Sequence, residues 1–377
     1  MDRRGFILGS SGILAASTLH ASTVSAGGAS QDRGVKRTYR LVDTEVHFTC
    51  PEQLTALRRL AGTSTNWDIG IFKLIWENPP ALRLFTDVED GGRVKAMDAA
   101  GVDFAVLSLA EPGVQDFDAD TGTNIAATVN DRLSEAIAKN PTRLGGFGTF
   151  APQDPQRAAK EIDRAINKLK LNGILVNSHT NGEYLDQSKF WPILEAAEAV
   201  GAPLYIHPRC VPDFAQALLK DAPLPLGGAL WGYPTETSLH ALRLITNGIF
   251  DRFPNLIVVL GHLGEGLPFW QYRIDYWYRG GPNVPTKLKK KPSEYLQSNF
   301  MITTSGMNHH PALEYCHKVV GADKIMFASD YPYQAEMYEA SQFMNSAPLP
   351  EADVEKIAHS NAEKLFRVRA VKSTTLA

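Results

Sequence analysis

The chain has 377 residues, of which 44% are hydrophobic and 21% are charged, and this balance argues against an intrinsically disordered protein. Its net charge of -3 gives no electrostatic basis for binding nucleic acid or an anionic membrane. The three cysteines, Cys50, Cys210 and Cys316, form no C-x-x-C pair, which argues against a disulfide framework and a thiolate zinc site.

The N-terminus has the pattern of a twin-arginine export signal. Arg3 and Arg4 precede a run of small and apolar residues that reaches Ala26, after which we predict cleavage. The run is too short and too rich in Ser, Gly and Thr to serve as a stable membrane anchor. We therefore predict a periplasmic or secreted protein, or a cytoplasmic one if the signal is not functional. The predicted segments are a signal peptide at 1–26, a linker at 27–40, a folded region at 41–368 and a tail at 369–377.

From residue 41 onward, eight β-rich segments alternate with segments of helical periodicity. Most of the β-rich segments are continuous apolar runs, which is typical of a parallel sheet buried on both faces. Eight such strands predict an α/β fold, a (β/α)8 TIM barrel. The competing layout, a doubly wound open sheet, is disfavoured because no G-x-G-x-x-G turn follows the first strand. The predicted strands are 41–48, 104–110, 144–150, 173–177, 203–207, 256–262, 300–306 and 325–330, and the predicted helices are 93–100, 126–139, 155–169, 191–200 and 237–245.

A long insertion, residues 49–92, follows the first predicted strand and exceeds an ordinary strand-to-helix loop. It carries Trp67, Phe72, Trp76 and Phe85 among proline and glycine residues. The insertion is either a packed excursion with its own small apolar core or a lid that supplies aromatic walls to a pocket at the barrel mouth. Both interpretations can hold together.

Side chains that commonly bind metals occur at the C-terminal ends of four predicted strands. Glu45 and His47 lie two residues apart on the first strand and therefore point to the same face. His207 ends the fifth strand, His262 the sixth and Asp330 the eighth. In a (β/α)8 barrel these ends meet at one mouth, where active sites lie. A single strand-end histidine is more often structural, but five such residues predict a metal site, with Glu45, His47, His207 and Asp330 as ligands of Zn²⁺ or Mn²⁺.

A second group of polar residues lies in "GHLGEGLPFWQYRID" at 261–275. His262 and Glu265 are spaced to form a hydrogen-bonded pair, although Glu265 could instead cap the following helix. Arg273 is a candidate for holding a carboxylate or a neighbouring subunit, or for a plain surface salt bridge. The fourth strand ends in Asn177 rather than lysine, so no carboxylated lysine can bridge a second metal, and one ion is predicted.

Eight short motifs lie in one order along the folded region. They are "EVHF" at 45–48, "VLSLAEPGVQ" at 106–115, "ILVNSHTNG" at 174–182, "YIHPR" at 205–209, "GHLGEGLPFWQYRID" at 261–275, "TTSG" at 303–306, "FASDYPY" at 327–333 and "NAEKLF" at 361–366. With these motifs the chain resembles the amidohydrolase-2 group of the amidohydrolase superfamily, the relatives of aminocarboxymuconate-semialdehyde decarboxylase. The resemblance is strongest to the γ-resorcylate and 2,3-dihydroxybenzoate decarboxylases.

The resemblance implies a (β/α)8 barrel of the amidohydrolase superfamily, with one divalent metal ion, Zn²⁺ or Mn²⁺, at the four positions named above. It implies nonoxidative, reversible decarboxylation of an ortho-hydroxybenzoate, in which Asp330 protonates the ring carbon that bears the carboxylate. The pair His262 and Glu265 would relay or tune protons. A small aromatic acid is the expected substrate, and a homotetramer or homodimer is the expected assembly.

The resemblance also implies substrate contacts at Asn130 and Arg273. His179 departs from the close relatives, which tend to carry Gly and Phe in this loop, and it is either an exposed loop histidine or a contact to a substrate substituent. Glu-x-His on the first strand favours a decarboxylase over the first rival, a metal-dependent hydrolase of a lactone, ester or amide. The second rival, a non-enzymatic binding protein, is disfavoured by the intact polar mouth.

Overall fold

Eight parallel strands pair in sequence order, from β1 to β8, in the computed structural model of the protein. The number and order of strands confirm the predicted barrel. The strands are β1 (Val42–Phe48), β2 (Phe104–Leu109), β3 (Leu144–Thr149), β4 (Gly173–Asn177), β5 (Leu204–His207), β6 (Val258–Leu260), β7 (Phe300–Thr303) and β8 (Ile325–Met326). The structure describes residues 37–62, 66–216, 219, 224–278, 287–334 and 336–368.

The barrel closes because the chain that follows β8 hydrogen-bonds to β1. The His47 amide donates to the Tyr331 carbonyl at 2.7 Å, and the Asp330 amide donates to the Glu45 carbonyl at 3.1 Å. The register of β1 against β2 also shifts within the stretch that contains Glu45. Closure therefore places Asp330, which follows β8, directly beside Glu45 on β1.

Apolar side chains from all eight strands fill the interior of the barrel. Phe366 of the last helix closes this layer, with its ring centroid 4.9 Å from that of Phe147. The interior is thus filled by apolar side chains, and polar residues at the strand ends are left at the C-terminal mouth of the barrel. The interior layer consists of Val42, Phe104, Val106, Phe147, Leu175, Tyr205, Val259, Met301 and Met326.

Helices surround the strands, and their starts follow capping residues in the sequence. The longest helix, α5, begins at Ala119 because Asp118 accepts hydrogen bonds from the amides of Asp120 and Thr121. The periodicity had predicted a later start. The helices are α1 (Pro51–Leu60), α2 (Trp67–Trp76), α3 (Pro79–Phe85), α4 (Gly92–Ala100), α5 (Ala119–Lys139), α6 (Pro155–Asp163), α7 (Trp191–Val200), α8 (Asp213–Gln216), α9 (Leu224–Gly227), α10 (Gly232–Thr246), α11 (Ile249–Arg252), α12 (His262–Glu265), α13 (Leu267–Trp277), α14 (Pro292–Asn299), α15 (His310–Val320), α16 (Met337–Asn345), α17 (Glu351–Glu355) and α18 (Asn361–Phe366).

The insertion after β1 folds into α1, α2 and α3. Phe72, Trp76 and Phe85 are buried and pack ring to ring, with centroids 5.8 to 6.0 Å apart around Phe72. The Phe85 ring also contacts Tyr333, which follows β8, at 5.0 Å between centroids. The insertion therefore has the predicted small apolar core, and its Phe85 packs against an aromatic ring at the mouth, while its action as a lid stays a prediction.

The barrel unit begins at Thr38. The predicted signal peptide, most of the predicted linker and the predicted tail lie outside the described residues. In the part of the chain that the structure describes, no helix combines the length and apolarity needed to cross a membrane.

Candidate metal centre and active site

Four side chains bring their ligand atoms together at the C-terminal mouth. Glu45 and His47 lie on β1, His207 ends β5 and Asp330 follows β8, and one ligand atom from each lies within 4.8 Å of the others. His47 Nε2 is 3.2 Å from Asp330 Oδ1, and His207 Nε2 is 3.5 Å from Glu45 Oε1. The ligands of an ion with bonds of about 2.1 Å lie roughly 3 to 3.4 Å apart, so the group has the size of a single-ion site.

The ligand group contains polar atoms that the fold leaves unpaired. Glu45 Oε1, His47 Nε2 and Asp330 Oδ1 are buried and have no hydrogen-bond partner among the described residues. An unpaired buried polar atom costs about 1–3 kcal/mol, so three of them at one point need a common partner. One cation would satisfy all three, and two carboxylates with two imidazoles suit a hard or borderline divalent ion. The residues therefore fit the predicted metal.

The second oxygen of Glu45 is held by the barrel interior. Tyr205 on β5 donates its hydroxyl to Glu45 Oε2, and Thr303 on β7 donates to the same oxygen at 3.2 Å. The two hydroxyls are themselves 3.0 Å apart. These bonds leave Oε1 directed at the ligand group, which is how outer residues orient a metal ligand.

Both histidines are oriented through their Nδ1 atoms. His47 Nδ1 is 3.0 Å from Ser108 Oγ, and His207 Nδ1 is 2.9 Å from the Pro208 carbonyl and 3.1 Å from Asn177 Oδ1. A carbonyl oxygen only accepts, so the hydrogen of neutral His207 is on Nδ1 and the Nε2 lone pair faces the ligand group. Burial, together with nearby His47, lowers the pKa of His207 well below its usual value, which favours the neutral form that binds metals.

His262 and Glu265 lie on a left-handed turn, α12, after β6. Every residue from His262 to Gly266 has a positive φ, between 50° and 79°. A left-handed residue other than glycine costs roughly 1–2 kcal/mol, and such strain is concentrated at functional sites. The turn brings His262 Nδ1 to 2.7 Å from Glu265 Oε1. The structure thus pairs these two residues, as predicted.

Asp330 connects this pair to the ligand group. Its Oδ2 is 3.6 Å from His262 Nε2, whereas its Oδ1 faces His47. Burial acts to raise the pKa of Asp330, but the neighbouring His262 and His47 imidazoles outweigh it and hold the pKa below its usual range. Burial acts to lower the pKa of His262, but the Glu265 charge and the Asp330 hydrogen bond raise it well above its usual value.

The mouth has an aromatic wall that we did not single out from the sequence. The Tyr333 ring lies 5.0 Å from His47 and 6.2 Å from His207 between centroids. Tyr333 belongs to the "FASDYPY" motif, and its position three residues after Asp330 was the available signal. The ring therefore covers the imidazole side of the ligand group.

Other residues that complete the site also escaped the sequence analysis. Tyr205, Thr303 and Ser108 orient ligands, and each lies on a strand with its side chain buried. Glu111 follows β2 at the mouth, and burial raises its pKa to about 8. An acid just after a strand was the signal for Glu111, whereas nothing local distinguishes Tyr205 or Ser108 from ordinary core residues.

Two of the predicted substrate contacts, Asn130 and Arg273, lie in very different surroundings. Asn130 on α5 donates to the Thr149 carbonyl at 2.8 Å and to Glu161 at 2.7 Å, and its oxygen accepts from the Thr149 amide. One amide hydrogen thus braces the end of β3 and the other bonds Glu161 on α6, so both are used within the fold, and the substrate contact at Asn130 stays a prediction. Arg273 is exposed on α13, beside Tyr272, which is 77% exposed.

His179 is not the exposed loop histidine considered above, because only 5% of it is exposed. Its Nε2 bonds the Cys210 carbonyl at 2.9 Å, and its Nδ1 accepts from the Gly182 amide at 3.2 Å. Burial lowers the pKa of His179 to about 4. With both ring nitrogens occupied, His179 holds the loop after β4 in place and has no free atom for a substrate.

A closed (β/α)8 barrel with imidazoles and carboxylates converging at its C-terminal mouth defines the class of metal-dependent TIM-barrel enzymes. The chain belongs to the amidohydrolase family, whose family model (Amidohydro_2) matches residues 42–368. This match confirms the resemblance that the motifs indicated.

The relatives that match the chain include named decarboxylases. The chain is 38% identical over 292 residues to the γ-resorcylate decarboxylase of Polaromonas sp. (strain JS666), covering 75% of this chain and 88% of that protein. The crystal structure of 5-carboxyvanillate decarboxylase from Sphingomonas paucimobilis matches with a TM-score of 0.85 and 44% sequence identity. The match covers 88% of this chain and 100% of that one. A 5-carboxyvanillate decarboxylase from Novosphingobium aromaticivorans, solved with manganese and 4-hydroxy-3-methoxy-5-nitrobenzoic acid, matches with a TM-score of 0.83 and 38% identity over 89% and 97% of the chains.

Proposed function

We propose that the protein is a metal-dependent, nonoxidative decarboxylase that acts reversibly on an aromatic acid with a hydroxyl ortho to the carboxylate. One observation carries this proposal. Asp330 turns Oδ1 to His47 in the ligand group and Oδ2 to His262, so a single side chain joins a metal site to a proton-transfer pair. The relatives described above, which are decarboxylases, support it.

The four residues of the ligand group would hold one divalent ion. When bound, the ion would act as a Lewis acid that orients the substrate carboxylate and ortho-hydroxyl and stabilises phenolate charge. We assign Mn²⁺ rather than Zn²⁺, because carboxylate oxygens suit manganese and the Novosphingobium aromaticivorans enzyme was solved with it. Metal analysis of the purified protein tests the assignment, and stoichiometric zinc with activity only in the zinc form would contradict it.

Asp330 would supply the proton in the reaction. Protonation of the ring carbon that bears the carboxylate breaks aromaticity, and departure of CO₂ restores it. The proton would reach Asp330 Oδ2 from His262, which Glu265 holds in place at 2.7 Å. A positioned general acid contributes about 10²–10⁴-fold to such a step. In the reverse direction the same three residues would accept the proton.

The reaction is tested by CO₂ release from a panel of hydroxybenzoates with the manganese-loaded protein. We expect turnover of acids with an ortho-hydroxyl and none of benzoate or 4-hydroxybenzoate. Hydrolysis of an aryl ester or lactone without decarboxylation of any benzoate would establish the hydrolase alternative instead.

We also propose a homodimer or homotetramer in which the outer face of α13 is buried. Phe269, Tyr272 and Trp277 on this helix are 66%, 77% and 68% exposed, and soluble monomers rarely expose contiguous apolar patches. Arg273 lies among them, in keeping with the frequency of aromatic and arginine residues at interfaces. Light scattering tests this, since Trp277→Glu should dissociate the oligomer while Trp231→Glu, at another exposed tryptophan, should not. A monomeric wild-type protein would contradict the proposal.

We further propose export by the twin-arginine route, with removal of residues 1–26. The proposal relies on Arg3 and Arg4 and on the run of small and apolar residues after them. Replacing both arginines by lysine should retain the protein in the cytoplasm with its N-terminus intact. A wild-type protein found in the cytoplasm with an uncleaved N-terminus would refute export.

A further inference from the structure

Glu111 is a buried glutamate at the barrel mouth whose second oxygen the fold leaves unpaired. The residue follows β2 and is 2% exposed. Its Oε1 accepts a hydrogen bond from the Tyr233 hydroxyl at 2.7 Å. Its Oε2 is buried and has no hydrogen-bond partner among the described residues. An unpaired buried oxygen is costly, and because this one lies at the mouth of the barrel it is open to a partner from outside the chain.

The unpaired oxygen lies next to the ligand group. Glu111 Oε2 is 3.7 Å from His207 Nδ1, on the side of the ring away from the Nε2 that faces Glu45. It is not the hydrogen-bond partner of His207, because that Nδ1 hydrogen is already directed to Pro208 and Asn177. Glu111 Oε2 thus lies at the mouth beside an imidazole of the ligand group without being bonded to it, on the side of that ring away from the metal centre.

Arg209 is a buried cation whose charge acts on Glu111, but no ion pair joins the two residues among the described side chains. Arg209 is fully buried and makes ion pairs of 2.6 Å with Asp68 and 2.8 Å with Asp116, two carboxylates of its own. An arginine with two carboxylate partners within the fold has its charge and its donors committed. Arg209 is therefore not the partner of Glu111 Oε2, which is left open to a polar group of a bound molecule.

We infer that Glu111 is a specificity-determining residue whose Oε2 binds a second hydroxyl on the aromatic ring of the substrate. The inference rests on the proposed function, in which the first hydroxyl lies ortho to the carboxylate at the metal ion. A hydroxyl is the matching group because it both donates and accepts, and so pairs with a carboxylate or a carboxylic acid alike. A methoxy group only accepts, and a ring hydrogen does neither.

Tyr233 is the positioning residue for this contact. Its hydroxyl fixes Glu111 Oε1 and thereby the direction of Oε2, while its own ring lies on α10, outside the strands. Tyr233→Phe should therefore weaken the preference for the second hydroxyl by a smaller factor than loss of Glu111 itself. Tyr233→Phe should lower turnover of a substrate that lacks the second hydroxyl less than it lowers turnover of one that carries it.

The experiment compares kcat/KM for salicylate, the dihydroxybenzoates with a 2-hydroxyl, and the monomethyl ether of the best of them. We expect one dihydroxybenzoate to exceed both salicylate and its own ether. Glu111→Leu should reduce this advantage by about 10- to 100-fold, the range for leaving one buried polar group without its hydrogen-bond partner. Glu111→Gln should retain most of it, since an amide also donates and accepts, and this variant guards against misfolding of the leucine one.

A matched control is Glu236→Gln. Glu236 is an equally buried glutamate, bonded to Ser178 at 2.9 Å, with one oxygen likewise unpaired. Its loss should lower turnover of salicylate and dihydroxybenzoate by one common factor. Equal losses for both substrates in Glu111→Leu, or the same selective loss in Glu236→Gln, would overturn the inference. Faster turnover of 5-carboxyvanillate than of any dihydroxybenzoate would also overturn the inference.

Failure of the proposed function gives a different result. If no benzoate releases CO₂ from the wild-type protein, the decarboxylase proposal fails, and Glu111 is then tested by calorimetric binding. Tighter binding of a dihydroxybenzoate than of salicylate to the manganese-loaded protein, lost in Glu111→Leu, would uphold the contact. Equal binding of the two acids by the wild-type protein would refute it.

Discussion

Removal of the Tyr205 hydroxyl tests how the barrel interior prepares the metal site. Tyr205 is fully buried, and its hydroxyl donates to Glu45 Oε2 while its ring packs at 5.6 Å from Phe147. Tyr205→Phe keeps that packing and leaves Glu45 Oε2 with one donor, Thr303. Burial, with the nearby Glu45 charge, raises the pKa of Tyr205 well above its usual value, so the phenol is a donor at neutral pH.

The expected loss follows from the position of this bond. Removing an outer partner of a metal ligand costs 10- to 100-fold in affinity, or about 1.4–2.7 kcal/mol, which is comparable to one hydrogen bond to a charged group. We therefore expect Tyr205→Phe to weaken Mn²⁺ binding by about this factor in a titration against a competing chelator dye.

Tyr295→Phe is the matched control. Tyr295 on α14 is 1% exposed and donates its hydroxyl to Asp251, so it resembles Tyr205 in burial and in its partner. We expect both variants to lose about 1.5–3 kcal/mol of stability to denaturant, the cost of one hydrogen bond to a charged group. Tyr295→Phe, however, should bind manganese as tightly as the wild type. The reasoning would be refuted if Tyr205→Phe bound manganese as tightly as the wild type, or if both variants weakened it equally.

Four further predictions concern the site and its charges. Asp330→Asn removes the proton donor and should lower CO₂ release by about 10²–10⁴-fold at saturating metal; more than a tenth of wild-type activity would contradict its role. Glu265→Gln removes the charge that raises the His262 pKa, so the limb of the pH profile due to His262 should move to lower pH, and an unmoved profile would argue against the relay. Adding Mn²⁺ at 100 times its Kd to metal-free protein should stabilise it by about 2.7 kcal/mol in thermal unfolding, and Glu45→Gln should lose most of this gain. Burial lowers the pKa of His240 to about 3, so the unfolded chain takes up a proton that the fold excludes as pH falls below 6.5. Stability should therefore drop by about 3 kcal/mol from this residue between pH 6.5 and 4, and His240→Gln should flatten the urea midpoints measured across that range.

The fold was predictable because its signals are local. Apolar runs, most of them continuous, marked the eight strands, and the polar ends of four of them marked the mouth before any contact was known. The predicted strand boundaries were less accurate where tertiary contacts end the pairing of a strand with its neighbours. The sixth strand was predicted as 256–262 but stops at Leu260, because the chain turns left-handed from His262 to form the site.

The substrate contacts were less predictable for a related reason. His179 follows the end of β4, where binding residues also lie, whereas Asn130 lies within α5 and was indicated by the family resemblance alone. Only the folded chain shows that their polar atoms are used by Thr149, Glu161, Cys210 and Gly182. Sequence position places a side chain near the mouth, but hydrogen bonding within the fold decides whether it remains free for a ligand.

The sequence by itself determined the number of strands and the four residues of the ligand group, because periodicity and strand-end position depend on neighbouring residues alone. Tertiary structure decided which polar atoms are held and which are left open. Tyr205 and Thr303 reach Glu45 across 160 and 258 residues of chain, and Asp330 divides its oxygens between two histidines only once the barrel has closed. Hydrogen bonds between groups so far apart depend on barrel register and burial, so the unpaired oxygens of Glu45 and Glu111 appear only in the folded protein.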